Sequence, residues 1–334
     1  MENHETLLTS AEMAVLWAQY MTDSSSNCVL PYFLAHIEDD DTRSVVEKSL
    51  HNAKENLSFL TTLYEEESFP IPVGFTKGDV DTETPRLFSD IFCLSYLQYM
   101  TFAQMTASTL AIGLSTRSDI VNFHDKVLMQ TVQLQEKIKH VLLDKGIYIR
   151  SPYIPMPAEV EFVTDQRFLG TIVGHQRPLT TIEIAHMYVN VESNIVGKEM
   201  MLAFAQVAES KNLRQYFTRG KDTGNKHTKQ LNKLLLKNDL PAPMPWDASV
   251  TDCKVAPFSD KLMLFLVTAW SATGIVKYGA ATGASQRKDI NVKYALLLAE
   301  IILYTEDGAN IMIDNSWLEE PPQAPRHIKH TKDV

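Results

Sequence analysis

The strongest constraint on this fold is a stretch of sequence that occurs twice. Its first copy runs from Phe88-Ser89-Asp90 through a long apolar tract to Arg117-Ser118-Asp119-Ile120. Its second runs from Phe258-Ser259-Asp260 to Arg287-Lys288-Asp289-Ile290 with the same internal spacing. No charged residue falls between Ile91 and Thr116. At about 1.5 Å per residue such a tract makes a helix of roughly 35–40 Å. That is either the central helix of a bundle or a membrane span. The span is disfavoured by Ser95, Gln98, Thr101, Gln104, Thr106, Ser108 and Thr109 in the first copy and by Lys277 near the middle of the second. A lysine there is costly in hydrocarbon, and no Lys/Arg asymmetry marks a cytoplasmic side. The tract therefore predicts a helix buried by its neighbours, with no membrane partner.

The rest of the chain repeats around it. Leu8-Thr9-Ser10-Ala11-Glu12 opens a helix with a capping-box pattern, and Leu179-Thr180-Thr181-Ile182-Glu183 opens another. Met13, Leu16, Trp17, Tyr20 and Met21 carry the first helix to about Ile37. Pro31 should bend or break it, whereas Leu202 takes that place in the second copy. A second helix should start near Asp41-Thr42 and end in Glu65-Glu66-Glu67. The proline-spaced loops Pro70-Ile71-Pro72 and Pro241-Ala242-Pro243-Met244-Pro245-Trp246 then exclude helix. Ser89 and Ser259 are placed to cap the long tracts and Ser118 to cap the fourth helix, with Gly146 as its C′ residue. The constant shift between copies is a tandem duplication. The predicted class is all-α: a tandem duplication of a ferritin-like four-helix bundle, with the longer crossover between helices two and three. The bundles fall at 1–146 and 179–314. They are joined by a proline-containing linker at 147–178, in which Glu159 to Val163 reads as a short strand or an extended segment, and a tail occupies 315–334.

Composition narrows the function classes. With 334 residues, 45% hydrophobic and 22% charged, the chain is globular and long enough for two domains. A net charge of −10 argues against a nucleic-acid partner and against docking on an anionic membrane. The basic end, Arg326 to Lys332, is too short to change that. Cys28, Cys93 and Cys253 are sparse, which fits a reducing compartment. No apolar leader opens the sequence, so the expected location is the cytoplasm.

A ferritin-like bundle raises the question of a di-metal site, which draws carboxylates and Glu-x-x-His pairs from four helices. One such pair exists, Glu183 with His186, but Glu183 is already the capping partner of Thr180. The tract Ile91–Thr116 supplies no carboxylate at all. His51 with Glu55, and Glu136 with His140, are isolated. No metal is expected, then; a single ion held by His186, His227 and Glu300 is the alternative. Phosphate-binding glycine loops and nucleophile elbows are absent. No catalytic residue is identified, no cofactor is expected, and any cofactor-binding residues are unknown. Arg117/Asp119 and Arg287/Asp289 read as structural caps at a tight turn. The small residues Ala103, Ala107 and Ala111, and Gly279 with Gly283 and Ala280 with Ala284, suit close helix packing, either inside one bundle or between the two units.

The Leu-Thr-x-x-Glu openings, the two proline loops, Phe258-Ser259-Asp260-Lys261-Leu262-Met263 and the ending Asp307-Gly308-Ala309-Asn310-Ile311-Met312-Ile313 together resemble the domain-of-unknown-function family 3231 of spore-forming bacteria. The resemblance covers nearly the whole chain. It implies a ferritin-like fold and a spore-associated location, since some members are provisionally described as spore coat proteins, and it carries over no catalytic residues because the family has no established activity. The reading is a structural or binding protein, with a metal-binding or redox role in the second bundle as the alternative. A small-molecule pocket lined by Trp270, Tyr278 and Tyr294, an unidentified protein partner and a homodimer are further expectations. Trp317 and Leu318 should strap the tail to a bundle.

Overall fold

Both halves begin with the same reciprocal cap. The Thr9 N–H donates to Glu12 Oε2 (2.8 Å) and the Glu12 N–H donates to Thr9 Oγ1 (3.2 Å), starting α1, Ser10–His36. Thr180 and Glu183 do the same for α5, Thr181–Val207. The computed structural model describes residues 6–174, 176–244 and 249–324. In it, α2 spans Asp40–Glu66, α3 Asp90–Leu114, α4 Ser118–Asp144, α6 Lys211–Leu236, α7 Asp260–Ala284 and α8 Lys288–Asp314. The described residues are thus all-helical, in two tandem halves of four long helices, apart from short 3₁₀ turns at Lys77–Asp79 and Gln166–Leu169.

Two local expectations need correction. α1 continues unbroken through Pro31. Ser118 is the first residue of α4, not its cap: the cap position is Arg117, whose side chain makes no capping bond. The guanidinium instead folds onto Asp119 and reaches Glu67 and the Thr6 carbonyl. The other signals are where the sequence put them. Ser89 and Ser259 cap α3 and α7, and Gly146 takes φ +67° after α4, a left-handed turn that glycine adopts without strain. Residues 159–163 are extended and form no strand. Trp246 lies outside the described residues.

The crossovers joining α2 to α3 and α6 to α7 interlock. Val80 bridges to Phe258 and Phe88 to Val250. The Ser259 N–H donates to the Asp79 carbonyl (2.9 Å) and the Ser89 N–H to the Ser249 carbonyl (3.0 Å). Each copy of the Phe-Ser-Asp motif is therefore held by the other half's loop. Behind this seam lies a shared core in which Phe33, Phe88, Phe92 and Tyr96 meet Phe204, Phe258 and Trp270. A separate cluster fills the far end of each half. The tail closes the seam from outside: Trp317 packs on the shared core, and the Glu319 carboxylate accepts from the N–H groups of Val73 and Gly74 (2.9 and 2.7 Å).

α7 is, among the described residues, one helix long and apolar enough to cross a membrane, but half of its apolar window is buried inside the protein. Its Lys277 is 6% exposed. Nζ donates to Ser193 Oγ (2.7 Å) and lies over the rings of Tyr99, Trp270 and Phe102 at 4.8, 5.8 and 5.9 Å. The lysine thus pins the two halves together by cation–π attraction. Gly279 and Gly283 do not do this. Added Cβ atoms at Gly279 and Gly283 would meet open space, so these glycines serve neither of the close-packing roles expected.

Close approach does govern Gly220. Tyr216 and Tyr304 stack at 4.3 Å, and each hydroxyl donates to the other's backbone carbonyl. A Cβ on Gly220 would overlap the Tyr304 hydroxyl and the Met201 sulfur. The tyrosine is held at both ends and cannot yield. Gly220→Ala should therefore cost about 1–2 kcal/mol in urea denaturation, overpacking outweighing the helix propensity gained.

Candidate functional site: polar centres inside the two bundles

The structure brings together two of the three residues named as metal ligands. His227 of α6 is 1% exposed. Its Nε2 stands 3.1 Å from Glu300 Oε2 of α8, and its Nδ1 2.9 Å from the Tyr278 hydroxyl of α7. Asn194 of α5 donates to the same hydroxyl (2.8 Å) and to the Asn190 carbonyl. Lys226 donates to both Glu300 oxygens at 2.8 Å. Burial lowers the His227 pKa, against the opposing pull of Glu300. Burial acts to raise Glu300, but Lys226 and His227 outweigh it and hold the carboxyl below its usual range. With Nε2–H donating to Glu300 and Nδ1 accepting from Tyr278, both histidine nitrogens are engaged. His186 lies two turns nearer the start of α5 than Asn194, about 12 Å along the axis, and is not in this network. His51, Glu136 and His140 are exposed. Among the described residues, no three His, Cys, Asp or Glu side chains are grouped to hold a metal ion. Trp270, Tyr278 and Tyr294 do not line one pocket: Trp270 belongs to the shared core, and the two tyrosines to the distal cluster of the second half.

The first bundle has a polar centre that sequence reasoning missed. Asp23 of α1 is 5% exposed and hydrogen bonds with Gln19 (2.7 Å) and Asn56. Burial pushes its carboxyl up to about 7, although both amides act to lower it. It borders a cavity of about 80 Å³ between the four helices, with Asn52 and Asn56 from α2, Thr101 and Gln104 from α3, and Gln130 and Thr131 from α4. Asn52 Oδ1 and Gln130 Oε1 are buried there without a hydrogen-bond partner. Among the described residues Asp23 has no cationic partner.

These two centres occupy matching positions, counted from the first residue of each helix. Asp23 corresponds to Asn194, Asn56 to His227, Gln130 to Glu300, Glu55 to Lys226 and Ser108 to Tyr278. The second centre is closed because Tyr278 puts its hydroxyl between His227 and Asn194. Ile301, where the first bundle has Thr131, also presses on Gly274. In the first bundle the matching residue is Ser108, whose hydroxyl accepts from Gln104 (3.1 Å) and which brings no ring into the centre. A signal for this was present in the sequence: Asp23 and Asn194, Asn56 and His227, and Gln130 and Glu300 are polar in both copies.

His124 of α4 is a different kind of feature. It is 1% exposed, packs edge-on against Phe123, and neither ring nitrogen has a partner. Burial lowers it to about 4. The unfolded chain takes up that proton near its ordinary value of about 6.5. Stability is therefore lost as pH falls from about 6.5 to about 4. His124→Leu should raise stability by about 1 kcal/mol or more and flatten that part of the pH profile of the urea midpoint.

Comparison with known proteins places this geometry in context. The profile of a family described as "Protein of unknown function (DUF3231)" matches residues 1–160 and again 167–329. Among curated proteins, none matches the chain. A crystal structure of a protein from Bacillus halodurans, provisionally described as a spore coat protein, aligns at 17% identity and a TM-score of 0.41. It covers 45% of this chain and 97% of its own.

Proposed function

The chain belongs to the DUF3231 family, with one family unit in each half, and from that premise we propose that it is a binding protein whose ligand sits inside the first bundle. The observation that carries this reading is the cavity of about 80 Å³ beside Asp23, into which Asn52, 8% exposed, presents an unpaired carbonyl oxygen. A buried acceptor without a partner costs about 1–3 kcal/mol, and a ligand donor would recover it. The second bundle, with its centre closed, serves as the rigid half. We take each half as a ferritin-like bundle from its connectivity, without a carboxylate-rich centre. For location we keep the cytoplasm, which the sparse cysteines favour, together with the spore association that the family resemblance brings; fractionation of sporulating cells would test both.

The binding reading is tested by closing the cavity. Ser108→Tyr installs the residue that the second bundle carries at the matching position. In a thermal-shift screen of small hydrogen-bonding solutes, at least one should stabilise the wild type and none should stabilise Ser108→Tyr. Equal responses in both proteins would contradict the reading.

The His227–Glu300 contact supports a second reading, a single metal ion in the second bundle. It would require His227 to give up Tyr278 or Glu300 to give up Lys226. Stoichiometric zinc, iron or manganese in protein purified without a tag, lost in His227→Ala, would favour it.

A further inference from the structure

We infer that the ligand of the first bundle is a small monovalent cation bearing N–H donors, an ammonium ion or a short primary alkylammonium. This rests on the binding reading above and adds the chemical class.

The class follows from which atoms the cavity shows. Three of its hydroxyl protons are spent on their own helices: Thr22 donates to the Ala18 carbonyl, Ser26 to Thr22, and Thr131 to Val127. The Thr101 hydroxyl lies against the Leu97 and Gln98 carbonyls. The amide protons of Gln19 go to Asp23 and Gln104. Those of Gln104 go to Gln19 and Ser108. Gln130 donates outward to Glu55. The buried lining atoms left without a partner are both oxygens, Asn52 Oδ1 and Gln130 Oε1, and they stand beside the Asp23 carboxyl. Two buried acceptors without a partner select a donor. A buried carboxyl with no cationic partner selects one that carries positive charge. The volume holds about two or three waters, so the ligand has few heavy atoms. Leu30, Leu97 and Leu134 complete the lining and would meet an alkyl group with apolar surface.

The test is titration of the full chain, by calorimetry and thermal shift, with ammonium, methylammonium, tetramethylammonium, sodium and potassium chlorides at fixed ionic strength, and with glycerol. Ammonium or methylammonium should bind saturably with one site per chain. Tetramethylammonium, which has no N–H and is too wide, should not. Asp23→Asn keeps the shape and removes the charge, and should weaken binding by about tenfold to a hundredfold. Ser108→Tyr should abolish it. Saturable binding of potassium alone, or undiminished ammonium binding in Asp23→Asn, would overturn the inferred class. Glycerol binding lost in Ser108→Tyr would also overturn the class, yet leave the binding reading standing. Absence of saturable binding by any of these solutes would overturn the inference. A broader screen that then failed as well would remove the binding reading too.

Discussion

Replacing Arg117 with alanine should destabilise the protein by about 3–5 kcal/mol, the range for breaking one partner out of a buried ion pair. Arg117 is 2% exposed. Its guanidinium donates to Asp119 at 2.7 and 3.2 Å, to Glu67 at 2.6 Å and to the Thr6 carbonyl at 3.2 Å. One side chain thereby joins the first turn of α4, the end of α2 and the segment leading into α1. Removing it leaves a cavity as well as unpaired carboxylates. Glu67 and Asp119 are 19% and 35% exposed, so water recovers part of their loss and the result should fall toward the lower end. Arg117→Lys keeps the charge without the planar fork and should lie between the two. Arg287, 1% exposed, makes the matching contacts to Asp289 and the Arg177 carbonyl, so Arg287→Ala should behave alike. Urea denaturation decides this; a loss below about 1 kcal/mol would show that the turn holds itself without the guanidinium.

Glu12→Ala should cost about 3 kcal/mol, because one carboxylate serves two helix starts. Glu12 accepts from the Thr9 N–H and hydroxyl, both at 2.8 Å, and from the N–H groups of Thr116 and Arg117 at 2.8 and 2.9 Å. It caps α1 and at the same time organises the turn from α3 into α4. Glu183 repeats this, accepting from Thr180, Gln286 and Arg287 and pairing with Arg177. Burial acts to raise both carboxyls, and these hydrogen bonds outweigh it and hold each at about 2. The folded value lies below the unfolded one of about 4.3. The stabilisation is then complete above that value and lost as pH falls from it toward 2. Glu12→Gln should show a shallower loss of stability across that window, followed by circular dichroism. An unchanged acid profile would contradict the assignment.

The helices were legible because their signals are local. Thr9 with Glu12, Ser89, Ser259 and Gly146 each act within one turn, and the duplicated tract fixed which helix lies at the centre. The second role of Glu12 and Glu183 was not legible. Their partners at Thr116 and Gln286 are distant in sequence and meet them only after the bundle closes. The same holds for Lys277, which counted against a membrane span but whose aromatic cage spans both halves. At the candidate site, His227 and Glu300 attracted notice as metal-ligand types, whereas Asp23, Asn52 and Gln130 look like ordinary polar residues on amphipathic helices. Only the packing shows that they line a shared space, with the Asn52 and Gln130 oxygens unpaired. Tyr278, which fills the second centre, stands where the first bundle has Ser108, a difference of size that carries no chemical signature in sequence.

The first bundle should hold a ligand where the second is closed. A high-resolution crystal structure of the protein grown with methylammonium tests it most directly. The account predicts ordered non-protein density within hydrogen-bonding distance of Asp23 and Asn52, and none between Asn194, His227 and Tyr278. A first-bundle cavity that is empty, or filled by a shift of Met100 or Gln104, would contradict it.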